Sequence, residues 1–210
     1  MPGRTSTRTR AGAAILADAT RGLAVASVLV SVVWRSPVDA ALFALVTGAL
    51  LVPRALRVPA GLDIAYGIAV LAAAWSGSLG IYEAISWWDL MMHLVTTGLI
   101  AAVAYVAVAR LLGLGEVADR TAVPAGRAAG VVVLTTALGL ALSVSWEFAE
   151  WAGHTYADPA IHVGYLDTLG DLAAAGLGSL LAGVGLTLWE ARPAAPDGSP
   201  TGATVASPPS

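Results

Sequence analysis

The 210-residue sequence contains no cysteine and no lysine, and its 11 basic residues are all arginine. Without cysteine there are no disulfides, iron–sulfur clusters or thiolate zinc sites. Without lysine there is no Schiff-base or lysine-base chemistry. Charge is scarce as well. Charged residues make up 12% of the chain, where a soluble domain carries about 25%. The formal net charge of −3 is too small to imply a nucleic-acid partner. What the sequence has instead is apolar surface: 57% hydrophobic residues and a mean hydropathy of +0.76.

The apolar residues come in blocks of about 20, the length of helix that crosses about 30 Å of hydrocarbon. In lipid such blocks must form helices or a closed barrel. The blocks show no period-2 alternation, so the expectation is an all-α, polytopic membrane helix bundle with about six transmembrane helices. The spans are expected over about Leu16–Trp34, Pro37–Pro53, Pro59–Leu79, Asp89–Leu112, Ala129–Trp151 and Asp167–Trp189. No small-x-small cleavage site directly follows the first block, so it reads as a span and not as a signal peptide. Residues 1–12 read as a disordered cytoplasmic tail, 13–190 as the six-helix domain, and 191–210, rich in Pro, Ser, Gly and Ala, as a second disordered cytoplasmic tail. There is no internal repeat.

Arginine placement gives the expected orientation, with both termini inside (N-in/C-in). Arg4, Arg8, Arg10, Arg54, Arg57, Arg110, Arg120, Arg127 and Arg192 then lie on the cytoplasmic side, and Arg21 snorkels there. Arg35 alone falls outside. Trp34, Trp87, Trp88 and Trp151 fall at the outer interface, where indoles prefer to sit.

In this orientation the acids and histidines gather on one side. The start of span four carries Asp89 and His93, spaced i,i+4. The end of span five carries Glu147 and Glu150, with His154 four residues further on. The start of span six carries Asp167 and Asp171. Each helix thus presents one polar face. Ser86 and Asp89 also have the spacing of a capping box, and Asp167 suits an N-cap. Glu147 and Glu150 have no such account, because a helix C-terminus disfavours negative charge. An ionised acid at membrane depth costs about 2–3 kcal/mol. Three ways of balancing the cluster follow: protonation, pairing with His93 or His154, or a bound divalent metal ion. The candidate metal ligands are Asp89, His93, Glu147, Glu150, Asp167 and Asp171, with Glu147 and Glu150 as candidate catalytic carboxylates. Asp63 reads as a solvated or helix-pairing residue. Gly170, Ala174, Gly178 and Ala182 form a small-residue stripe on which another helix can pack closely.

At these residues the chain resembles the YjdF-like family of bacterial inner-membrane proteins. The matching stretches are Trp87-Trp88-Asp89-x3-His93, Trp146-Glu147-x2-Glu150-Trp151 and Tyr165-x-Asp167-Thr168-x2-Asp171, within about residues 60–190. The resemblance implies a multi-pass protein of the bacterial cytoplasmic membrane with these acids as its signature. It implies no reaction.

Three functions fit the sequence. The first is a metal-assisted hydrolase or transferase acting on lipid-linked substrates. The second is a non-catalytic scaffold or accessory subunit, and the third an ion-coupled transporter. The absence of an inverted repeat and of midplane charge in most spans speaks against the third. Membrane lipids are the expected partners, and self-association into a homo-oligomer is compatible with the sequence.

Overall fold

The fold comes from a computed structural model that describes residues 3–113 and 125–190. Eight helices follow one another: α1 (Gly3–Trp34), α2 (Pro37–Ala49), α3 (Leu51–Ala55), α4 (Ala60–Ser78), α5 (Ile81–Ala84), α6 (Trp88–Leu111), α7 (Ala125–Tyr156) and α8 (Tyr165–Glu190). Among the described residues there is no strand. Six segments are long and apolar enough to cross a membrane: Gly12–Trp34, Pro37–Ala55, Ala60–Ser78, Trp88–Leu111, Ala125–Tyr156 and Tyr165–Glu190. The outer faces of these helices are apolar, with Val32 and Val33 of α1 and Leu188 of α8 more than half exposed. Apolar surface that no protein covers is the signature of contact with lipid.

Local chemistry sets the helix ends. Ser36 caps α2: its hydroxyl accepts from the Asp39 N–H, the Asp39 carboxylate accepts from the Ser36 N–H, and Pro37 occupies the first turn. Pro53 falls where the second span is divided into α2 and α3. Gly80, at φ 69°, ends α4 in the left-handed region that glycine tolerates best.

Interhelical contacts fix which helix ends lie together. At one end, Arg21 of α1 bonds the Leu50 carbonyl and Asp63 of α4, while Arg127 of α7 meets Glu190 of α8. At the other, Arg35 bonds Ser78, the Trp88 indole donates to Ser76, and His93 meets Asp171. Successive spans therefore run antiparallel, and the start of α1 and the end of α8 share one end of the bundle. Two three-helix groups result, α1/α2/α4 and α6/α7/α8, joined where α4 packs on α6. The first group is centred on Phe43, Leu50 and Tyr66, with the Phe43 and Trp75 rings 4.8 Å apart.

The second group is held by close backbone approach. A Cβ on Gly98 of α6 would lie 2.7 Å from the Gly178 carbonyl oxygen, and one on Gly178 would collide with the Leu94 carbonyl. The small-residue stripe of α8 is thus a packing face, as its spacing implied. A second row, Ala175, Ser179 and Gly183, is buried beside it.

Several boundaries depart from the sequence expectation. α1 begins at Gly3, so residues 3–12, expected as a disordered tail, continue the first helix. With three arginines but also three threonines, two glycines and a serine, this stretch does not favour helix by propensity; it extends a helix already nucleated by the apolar segment that follows. α7 extends from Ala125 to Tyr156, beyond the Ala129–Trp151 block, because hydropathy marks lipid depth and not helix length. Helix α5 lies inside the expected loop between spans three and four. Arg120, Arg192 and the 191–210 tail lie outside the described residues.

Candidate functional site

The end of the bundle opposite the chain's start brings together the N-termini of α6 and α8 and the C-terminal part of α7. The site is built from these three ends. His93 stands one helical turn into α6, with its side chain 10% exposed and its Nε2 3.6 Å from Asp89 Oδ1 and 3.9 Å from Asp171 Oδ1. Ligand-type atoms of Asp89, His93 and Asp171 all lie within 4.8 Å of one another, and so do those of His93, Glu147 and Glu150. Both groups share His93. Donor atoms on opposite sides of one ion are about 4–5 Å apart, twice a bond of about 2.0–2.6 Å, so each triad by itself is spaced to hold a cation, while the five residues do not form one group at that spacing.

Two acids in this cluster are poorly satisfied. Asp171 is 2% exposed and accepts no hydrogen bond among the described residues; the His93 ring is its ion-pair neighbour. Glu147 Oε1 is buried and has no hydrogen-bond partner among the described residues. Leaving a buried acceptor unsatisfied costs about 1–3 kcal/mol, more when it is charged. No arginine ion pair reaches the cluster among the described residues; Arg35, at the same end, is taken by Asp39 at 3.8 Å and Ser78 at 3.2 Å.

Five of the six anticipated ligand residues meet here. Asp167 does not join either group: its carboxylate lies 3.8 Å from Nε2 of the exposed His162. Nor is Asp167 an N-cap. The Thr168 N–H bonds the Gly164 carbonyl, so α8 begins at Tyr165 and Asp167 sits in its first turn, one turn nearer water than Asp171. The Ser86–Asp89 capping box is likewise absent. Helix α6 starts at Trp88 with Trp87 as N-cap and no side-chain cap bond, and the Asp89 carboxylate turns to His93 instead. His154 stays outside the cluster, with its Nδ1 2.7 Å from the Ile161 carbonyl, where it ties the α7–α8 loop to α7.

One neighbour went unnoticed in the sequence. Tyr82, in α5 just outside the spans, donates its hydroxyl to the Ala73 carbonyl at 2.9 Å. Burial raises its phenol pKa above the ordinary value, and the charges of Asp89, Glu150 and Asp171 push it the same way. The phenol therefore stays protonated beside the acids. Its sequence signal was weak: an aromatic residue in a short loop, with nothing to say that it folds back over the site.

Fold and site together define a polytopic helical membrane protein with a carboxylate–histidine cluster at one end of the bundle. The chain belongs to the family described as predicted membrane protein (DUF2238), whose model matches residues 14–192; the YjdF-like proteins fall in this family. No curated protein and no solved structure matches the chain significantly.

Proposed function

We propose that this bundle holds a divalent metal ion at His93 with partners drawn from Asp89, Asp171 and one of the α7 carboxylates, Glu147 or Glu150, and uses it for hydrolysis or group transfer on a lipid-linked substrate. The observation that carries this reading is the convergence of four carboxylates from three helices on one imidazole. Within that convergence, Glu147 Oε1 is buried without a hydrogen bond among the described residues. A cation neutralises such a cluster where no guanidinium does.

The ion would acidify a water or polarise a substrate oxygen. Five ligand-type side chains exceed the three or four that a catalytic metal site uses. One of the α7 carboxylates, Glu147 or Glu150, is thus free to act as general base. Depth supports a substrate held at the membrane surface, because His93 and Asp171 lie about one turn inside the helix ends. The same reading takes the chain to lie in the bacterial cytoplasmic membrane with the site near the outer leaflet. That orientation is supported by Arg54, Arg57, Arg110 and Arg127 falling at the end of the bundle where α1 starts, against Arg35 at the site end.

Metal analysis of the detergent-purified protein tests this reading. Wild type and Asp167→Asn should carry one divalent ion per chain, and His93→Ala and Asp171→Asn should lose it. A wild-type protein without stoichiometric metal would overturn the proposal. A reporter fused at residue 120 should read as cytoplasmic; an external reading would invert the site's leaflet.

A further inference from the structure

Serine and threonine hydroxyls in membrane helices usually bond back to a carbonyl one turn earlier. In α7, Thr136 does so with the Val132 carbonyl at 2.8 Å and Ser145 with Ala141 at 2.9 Å. Thr135 and Ser143 do not. They are 0% and 3% exposed, and neither hydroxyl has a hydrogen-bond partner among the described residues. Both lie on the i+4 row of α7 that runs from Arg127 through Val131, Thr135, Gly139 and Ser143 to Glu147.

The gap in that row at Gly139 is filled from α8: a Cβ there would collide with Ser179 Oγ. The Ser179 hydroxyl donates to the Ala175 carbonyl at 2.7 Å and keeps its acceptor side. Each turn from Glu147 to Thr135 thus holds a buried oxygen, about 6 Å from the next along the helix axis. One water bridges about 5.6 Å with two hydrogen bonds of about 2.8 Å.

Beyond Thr135 the row crosses one apolar turn at Val131, 2% exposed, and arrives at Glu190 of α8. Gly183 packs beside Thr135, its Cβ position 3.3 Å from Thr135 Cβ. Glu190 follows seven residues later, about 10 Å further along the axis, a gap that takes three waters joined by four hydrogen bonds of about 2.8 Å. Glu190 is 1% exposed, and neither carboxylate oxygen has a hydrogen-bond partner among the described residues. Arg127 of α7, with Nε 3.7 Å away, and Tyr105 of α6 are the charged and titratable groups that face it. From Glu147 to Arg127 is twenty residues, about 30 Å, the thickness of the hydrocarbon core.

We propose that the seam between α7 and α8 is a proton path linking the carboxylate–histidine site to the opposite membrane face, with Glu190 as the exchange group there. Each hydroxyl or water accepts a proton on one side and donates one on the other. One proton leaves at the far end for each that enters, and only O–H bonds are broken and formed. The path needs no metal at the site, so it stands apart from the function proposed above.

The test uses the full chain in proteoliposomes loaded with a pH-sensitive dye, with a potassium gradient and valinomycin supplying the potential and compensating the charge. Wild type should acidify the lumen faster than protein-free vesicles do. Thr135→Val, which removes the hydroxyl at nearly constant shape, and Glu190→Gln should fall to the protein-free rate. Thr135→Ser, which restores the hydroxyl, and Thr136→Val, whose neighbour bonds its own helix, should keep the wild-type rate. Wild-type flux equal to that of protein-free vesicles, or full flux in Thr135→Val or Glu190→Gln, overturns the proposal. Metal content read on the same samples separates this outcome from failure of the metal site.

Discussion

Replacing Gly178 by alanine places one methyl group where α8 lies against the backbone of α6. The new Cβ would fall far inside contact distance of the Leu94 carbonyl, and a carbonyl within a helix cannot rotate away as a side chain can. The two helices must separate by on the order of an ångström, and overpacking of this kind costs about 1–3 kcal/mol. Alanine also recovers about 1 kcal/mol of helix propensity over glycine. With backbone as the obstacle the cost lies near its upper end, which leaves a net loss of about 1–2 kcal/mol. Leu94 adjoins His93, and Gly178 lies two turns below Asp171, so the same separation draws two site residues apart. Misplacement by about 1 Å in a preorganised site costs up to roughly 100-fold in its function. Gly185→Ala is the control, because nothing lies within 4 Å of its Cβ position. In detergent melting curves and metal titrations, Gly178→Ala should melt lower and bind metal more weakly than wild type. Gly185→Ala should equal or exceed wild type in both. A Gly178→Ala protein as stable as wild type, with unchanged metal affinity, would refute the close-packing account.

Two further outcomes follow from groups outside the cluster. Arg21 and Asp63 form a two-pronged pair at 2.7 and 2.9 Å with side chains only 11% and 13% exposed, so Asp63→Ala, which leaves Arg21 only the half-exposed Asp18 and the Leu50 carbonyl, should cost about 1.5–3 kcal/mol. The double change Arg21→Met with Asp63→Leu should recover most of that in denaturant unfolding; equal losses in both proteins would show that the pair does not matter. Tyr82→Phe should cost about 1 kcal/mol at neutral pH through the lost bond to Ala73. Because the folded phenol titrates higher than an unfolded one, wild-type stability is fully present below about pH 10 and falls as pH rises above it. The gap between wild type and Tyr82→Phe should therefore narrow in alkaline melts, and a gap that stayed constant would count against the buried phenol.

The six spans were legible because lipid demands long apolar helices whatever their partners, and arginine spacing separated one end of the bundle from the other. Asp89 with His93, and Glu147 with Glu150, could be read as polar faces from helical periodicity alone. What periodicity cannot supply is the rotation of one helix against the next. Asp167 and Asp171 share the same spacing, yet the first faces His162 in the loop and the second is buried against His93. Asp63 could be read only as solvated or helix-pairing until α1 brought Arg21 to it, 42 residues away in sequence. Thr135 and Ser143 gave no signal, because a hydroxyl that bonds its own helix and one that does not look alike in sequence.

Elsewhere in this protein, acids near lipid depth are paired with arginine. Asp18 meets Arg21 and Arg54, Asp63 meets Arg21, Asp39 meets Arg35, and Glu190 meets Arg127. The cluster at the start of α6 and α8 breaks that pattern, since Asp89, Asp171, Glu147 and Glu150 share one histidine. A single imidazole offsets at most one negative charge, and only when protonated. Simple hydrogen bonding does not resolve the imbalance either, because Glu147 Oε1 is buried without a donor among the described residues. The chain has the means to place arginine beside an acid and does so at both ends of the bundle. At this one position no arginine pair is made among the described residues, and the divalent ion proposed above would supply the pairing that arginine provides elsewhere.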